Sequence, residues 1–139
     1  MRFDLTVNKM ILDAVRGGVI HVQGGEQVRP HVHLRDLIDV LVRLLTAKID
    51  SEVFNVVHSN QRIIDTAEIV ARITTGKVVV GPRTDDRSYW VTGTKLARIL
   101  SFIPKRDIPL AVNDISSKLD YGYYEDAQTN KSYMNVVPL

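Results

Sequence analysis

The chain has no cysteine. Disulfides, thiol nucleophiles and cysteine-ligated zinc are therefore excluded. It also lacks a strong charge bias, since 18 basic and 16 acidic side chains leave a net charge of +2 with histidine neutral. The small excess is dispersed and no aromatic RNA-binding signature accompanies it, which argues against nucleic acid as a partner. No apolar run approaches the length of a membrane span. The N-terminal stretch is broken by Asp4, Asn8, Lys9 and Asp13, so it does not read as a secretion signal. These absences predict a soluble chain with no membrane partner, and a cytoplasmic location is expected. There is no P-loop, no G-x-S-x-G and no H-E-x-x-H.

What is present is an ordinary globular mixture, with 45% hydrophobic and 24% charged residues over 139 positions. That is enough for one domain with a real core. Leu5, Met10, Ile11, Ala14 and Val15 form a helical stripe that Gly17-Gly18 terminates. Val19 to Val22 reads as a strand, "QGGEQ" as a turn, and Arg29 to Leu34 as a second strand. A helix from Asp36 to about Lys48 follows, its first turn suited to a carboxylate. Glu52 to Val57, "EVFNVV", reads as a short buried strand, and Ser59-Asn60 as the cap of a helix over Ile63–Ile73. "KVVVG" and "RSYWV" predict further strands, and Thr94 to Leu100 a short helix. Asp107 caps a last helix with Ile108, Ala111, Val112, Ile115 and Leu119 inward. Helices and strands alternate throughout, which predicts a mixed α/β layer structure. The passage from "VHL" through a helix to "VFNVV" resembles a βαβ unit. Residues 1–119 are expected to form one domain, and residues 120–139 an extended tail that packs on it.

Three groups of side chains invite a chemical reading. His31 and His33 lie two apart on a predicted strand and so share a face. Zinc could use such a pair, but no third ligand stands at a recognisable spacing, so no metal is expected. Arg29 heads the same strand, where its planar fork suits phosphate oxygens. On charge alone, a surface ion pair with Glu26 or Asp36 is the better explanation. In "TDDRSYWVTGTK", Asp85 and Asp86 could accept from ribose hydroxyls while Arg87 meets a phosphate. The bland alternative is a solvated charged turn. Nothing places the paired carboxylates beside a nucleophile, so no catalytic residue is assigned.

Taken in order, these pieces resemble a family. "NKMILDAVRGGVIHVQGGEQVRPHVHLRDLIDVLVRLL", "SEVFNVV" and "DDRSYWVTGTKLARILSFIPK" are similar to the C-terminal half of the extended short-chain dehydrogenases/reductases. Those are the NAD-dependent nucleotide-sugar epimerases and dehydratases. The family's R-x-F-x-H-V-x-D matches Arg29, His33 and Asp36. Its D-x-R-S-Y-x-V-D-x-S-K matches Asp85 to Lys95, and its L-G-F-x-P matches Leu100 to Pro104. The resemblance covers about Met1 to Leu119.

The resemblance implies a nucleotide-sugar site. Arg29 and Arg87 would serve the diphosphate and nucleotide end, with Asp85 beside them and Asn8 approaching from the first helix. The backbone at Ile20 and Val22 would lie along the base. His33 and Asp36 would support the strand–helix corner. His31, Val57, Thr92 and Ser101 depart from the family pattern. The glycine-rich NAD turn is missing, and no tyrosine is followed four residues on by lysine. The chain alone is therefore expected to bind no cofactor and to perform no hydride chemistry, although NAD serves the complete family. The resemblance implies a truncated or split enzyme, its Rossmann half absent. The Val53–Val57 strand would then present an unpaired edge. That predicts a homo-oligomer, or a separate polypeptide carrying the cofactor half.

Overall fold

The computed structural model describes residues 1–135. The last four residues of the expected tail lie outside the described residues. The first helix, α1 (Thr6–Gly17), ends where Gly18 takes a left-handed conformation and its N–H returns to the Ala14 carbonyl. The chain continues through β1 (Val19–Gln23), β2 (Val28–His31) and α2 (Leu34–Thr46) to β3 (Ser59–Arg62). Then come α3 (Ile63–Thr74), β4 (Lys77–Gly81), α4 (Thr94–Leu100) and α5 (Ile108–Asp120). This is the expected mixed α/β class.

Two small sheets divide the strands. β1 pairs parallel with β4, Val19 opposite Lys77, and β2 pairs antiparallel with β3, Val28 opposite Arg62. α1, α3 and α5 pack on one another, and α1 and α3 also pack on β1. Phe3, Ile11, Ile20, Val70, Val112 and Leu119 form the centre of that core. Past Asp120 the chain coils into turns and a short 3-10 turn at Lys131–Tyr133. Tyr124 and Tyr133 meet the Phe3 ring edge-on, at centroid separations of 5.7 and 5.9 Å.

Several local expectations need correction. The second strand stops at His31 and does not reach Leu34. His33 instead caps α2, its Nδ1 accepting from the Arg35 N–H at 3.1 Å. Glu52–Val57 joins no sheet, and Val53 is exposed. An apolar run makes ladder bonds only where a neighbouring strand runs beside it, and among the described residues none does. The parallel crossover therefore closes elsewhere, from β1 to β4 with α3 as its last element. Ser59-Asn60 is strand and not cap. The first N–H groups of α3 go instead to the Gln27 and Gly25 carbonyls, at 2.9 Å each. "RSYWV" forms no ladder of its own.

One buried charge anchors α2. Asp36 is 1% exposed. Its Oδ2 accepts from the Lys105 and Arg106 backbone N–H groups at 3.0 and 2.8 Å, and its Oδ1 from Arg106 Nη1 at 2.6 Å. Asp39 Oδ2 holds the same guanidinium at 2.7 Å. Removing Asp36 would leave Arg106 paired with Asp39 but would take the acceptor from the Lys105 and Arg106 backbone N–H groups, at a cost of about 1–3 kcal/mol for unpaired buried donors. Asp36→Ala should lower the unfolding free energy by about that amount in chemical denaturation. A loss too small to measure would mean that α2 is held by other contacts.

Candidate functional site

The site is built around the turn between β1 and β2. Gly24 and Gly25 both have positive φ, 75° and 105°. A side chain on Gly25 would press against Ile64 Cβ at 3.1 Å, and one on Gly24 against Arg83 Cβ at 2.9 Å. Gln27 then turns inward and is buried. Its Oε1 accepts from the Gly25 N–H at 2.8 Å. Its Nε2 donates to the Gln23 carbonyl at 3.0 Å and to the Asp85 carbonyl at 2.9 Å. One amide thus ties the turn to a segment 58 residues away.

The segment 85–91 lies along β2 through mixed backbone and side-chain bonds. The Val28 N–H donates to Ser88 Oγ at 3.0 Å, and the Tyr89 N–H to the Val28 carbonyl at 3.4 Å. Asn60 bonds both the N–H and the carbonyl of Val91 at 2.9 Å. Side chains thus do here what a ladder would do, which is why no strand forms.

Arg29 and Arg87 converge on Asp85. Arg29 Nη2 donates to Asp85 Oδ2 at 3.0 Å, and Arg29 Nη1 donates to the Val28 carbonyl at 2.9 Å and to the Arg87 carbonyl. The Arg29 guanidinium also lies 5.3 Å from the Tyr89 ring centroid. Arg87 grips Asp85 with Nε and Nη2, both at 2.9 Å, and with its backbone N–H at 3.0 Å. The two arginines differ in freedom, with side-chain exposures of 16% for Arg29 and 82% for Arg87. The Arg87 hydrogen bonds hold the Asp85 carboxyl well below the usual carboxylate range, and Arg29 adds to them. Asp85 in turn raises the Arg87 guanidinium. The carboxylate is ionised at any physiological pH.

The surface pairs considered for Arg29 are not formed. Glu26 pairs with Arg62 at 3.1 Å, and Asp36 with Arg106. Asp86 does not face Arg87; it pairs with Arg83 at 2.9 Å. Asn8 lies on α1, where its amide donates to the Arg2 carbonyl at 2.7 Å. No hydrogen bond among the described residues links it to the arginine pair. Ile20 and Val22 are buried in the core, backbone included, and present no open surface to a ligand. Gln27, Ser88 and Asn60 are not marked by the sequence as members of the site, because a lone polar residue beside a turn has no period to mark it.

The chain has a fold known from solved structures. A UDP-glucose 4-epimerase from Thermotoga maritima, solved with UDP-glucose, superposes with a TM-score of 0.75 at 22% identity, over 85% of this chain and 40% of that one. A dTDP-glucose 4,6-dehydratase from Bacillus anthracis, solved with NAD, gives 0.74 at 16% identity, over 96% of this chain and 42% of that one. An epimerase of Methanothermobacter thermautotrophicus gives 0.78 at 16% identity, over 90% and 40%. This is part of the extended short-chain dehydrogenase/reductase fold. The chain spans well under half the length of these epimerases and dehydratases. No protein-family model and no curated protein matches it. No helix among the described residues of this short-chain dehydrogenase/reductase fold is long and apolar enough to cross a membrane.

The histidines of the β2–α2 corner are separated by the fold. His31 Nε2 lies 3.4 Å from Thr66 Oγ1, while His33 Nε2 lies 3.7 Å from Asp114 Oδ2. They meet different partners, and no group of three possible metal ligands occurs among the described residues. Burial pushes the His31 imidazole below its ordinary pKa. A lowered folded pKa means that the unfolded chain binds the proton more readily. The associated stability is present above about pH 6.5, the unfolded value, and is lost as pH falls through the lowered folded value. The melting temperature should therefore drop between pH 7.5 and pH 5, and His31→Gln should reduce that drop. An unchanged pH profile in the variant would assign the drop to other groups.

Proposed function

We propose that this chain is the nucleotide-sugar-binding half of a truncated or split NAD-dependent epimerase or dehydratase, not catalytic by itself. The observation that carries the reading is the convergence of Arg29 and Arg87 on one carboxylate. Two planar forks, one fixed and one exposed, are arranged around an anion. A diphosphate offers the same oxygens with more charge and would displace the Asp85 carboxylate from between them. Asp85, once released, is placed to accept from a hydroxyl of the nucleoside. Ile20 and Val22, which the resemblance sets along the base, are wholly buried in the chain as it stands and are a weak part of the reading. Asn8 is the weakest member of the set, because its amide is already engaged with Arg2. The solved neighbours support the ligand class, since one holds UDP-glucose and another NAD. Neither the glycine-rich turn nor a tyrosine–lysine pair four apart occurs in these residues, so NAD and catalysis would need a cofactor-bearing half that they do not contain.

A second reading is a non-catalytic homodimeric interaction module that reuses the fold. It is favoured by the apolar outer face of α2, where Leu34, Ile38, Leu41, Val42 and Leu45 are all exposed.

Calorimetric titration with UDP-, dTDP-, GDP- and CDP-sugars separates the two. The first reading predicts binding of at least one of them. Arg29→Ala should weaken it by about tenfold or more, since a hydrogen-bonded charge contact is worth roughly 1.5–3 kcal/mol. Binding by none of the four would overturn the nucleotide-sugar reading.

A further inference from the structure

An open hollow of about 440 Å³ is lined by β2, β3, α3 and Trp90. Trp90, Val28 and Ile69 give its apolar lining, and Gln61, Arg62 and Asp65 belong to its polar lining. Trp90 is 71% exposed, a large apolar ring without cover. Gln61 carries a second anomaly. Its Oε1 is buried and accepts no hydrogen bond among the described residues. Buried polar groups are nearly always paired, so this acceptor awaits a donor from outside the chain.

The hollow adjoins the arginine cluster. Gln61 stands opposite Arg29 in the β2–β3 register, and Val28 precedes Arg29 on its strand. Trp90 follows Tyr89, whose ring the Arg29 guanidinium meets. No part of the lining comes from α2 or from Val53–Val57.

We propose that this hollow receives the base of the nucleotide whose diphosphate Arg29 and Arg87 hold. This placement rests on the nucleotide-sugar reading of the arginine cluster and moves the base away from Ile20 and Val22. Chemistry decides the occupant. The Arg62 guanidinium is spent on Asp65 at 2.6 Å and on Glu26 at 3.1 Å, so the hollow offers an anion no free cation. A hexose would need several free hydrogen-bonding groups. Arg62 and Asp65 hold each other, and the Asn60 amide serves the Val91 N–H and carbonyl, which leaves Gln61 alone. A planar base stacks on an indole face, and its edge carries the N–H donor that the Gln61 oxygen lacks.

Trp90 is the only tryptophan of the chain, so its emission reports on this hollow alone. The test titrates the purified chain with UDP, dTDP, GDP and CDP, with their nucleotide sugars and with inorganic pyrophosphate, following tryptophan fluorescence and heat in parallel. At least one nucleoside diphosphate should change the emission, saturating where the heat saturates, and pyrophosphate should leave it unchanged. Heat without a change in emission would put the base elsewhere and overturn the inference, while the nucleotide-sugar reading stands. A change that needs the intact nucleotide sugar would put the sugar in the hollow and overturn it too. No heat with any of these ligands would overturn the reading and the inference together. Trp90→Leu should weaken the nucleoside diphosphate by about fivefold or more and leave pyrophosphate binding as it was. An equal loss for both would overturn the stacking role. Gln61→Leu keeps the test open if that variant misfolds, and should reduce the preference for the favoured base over the other three. An unchanged preference would overturn the Gln61 contact.

Discussion

The Gln27 amide is the interaction on which the site depends. It is buried and spends its oxygen and its nitrogen on three backbone groups. Two of these bonds fix the Gly24-Gly25 turn, and the third pins the backbone at Asp85. Unpaired buried polar groups are costly, so the amide admits few other arrangements. The carbonyls of the same turn and of Gln27 receive the first N–H groups of α3. One side chain therefore links the entry of β2, the start of a core helix and the segment that carries Asp85 and Arg87. Without that knot the contact between Arg29 and Asp85, 56 residues apart, would rest on the bonds of Ser88, Tyr89 and Val91 to Val28 and Asn60 alone.

The cluster is balanced and not simply basic. Asp85 neutralises part of the charge of two arginines and remains ionised because they surround it. Such an arrangement keeps the guanidinium groups oriented without a ligand. It also sets a threshold: an incoming anion must offer more than the carboxylate does. A diphosphate meets that condition, while a single carboxylate does not.

Much of the fold was legible where burial imposes a period. α1, α2, α3 and α5 follow from apolar residues three and four apart, and β1 and β4 from short β-branched runs closed by glycine. The failures cluster between Glu52 and Val91. "VFNVV" has the composition of a buried strand, but composition does not supply the neighbour that a strand needs. "SNQR" is polar and reads as a cap, yet it pairs with β2 because Asn60 and Arg62 find partners distant in sequence. Arg29 and Arg87 could be named from motif order. Asp85 follows from the same motif; that Gln27, Ser88 and Asn60 position the three depends on contacts 31 to 60 residues apart that no local pattern encodes.

The central claim is that Arg29 and Arg87 act together on one anion held at the position of Asp85. The most direct measurement is the NMR signal of each arginine Nε–H, assigned by substitution and followed as the four nucleotide sugars are added in turn. The account predicts that both signals move with one ligand and saturate at the same concentration. Movement of the exposed Arg87 alone, or of neither arginine with any of the four, would contradict it.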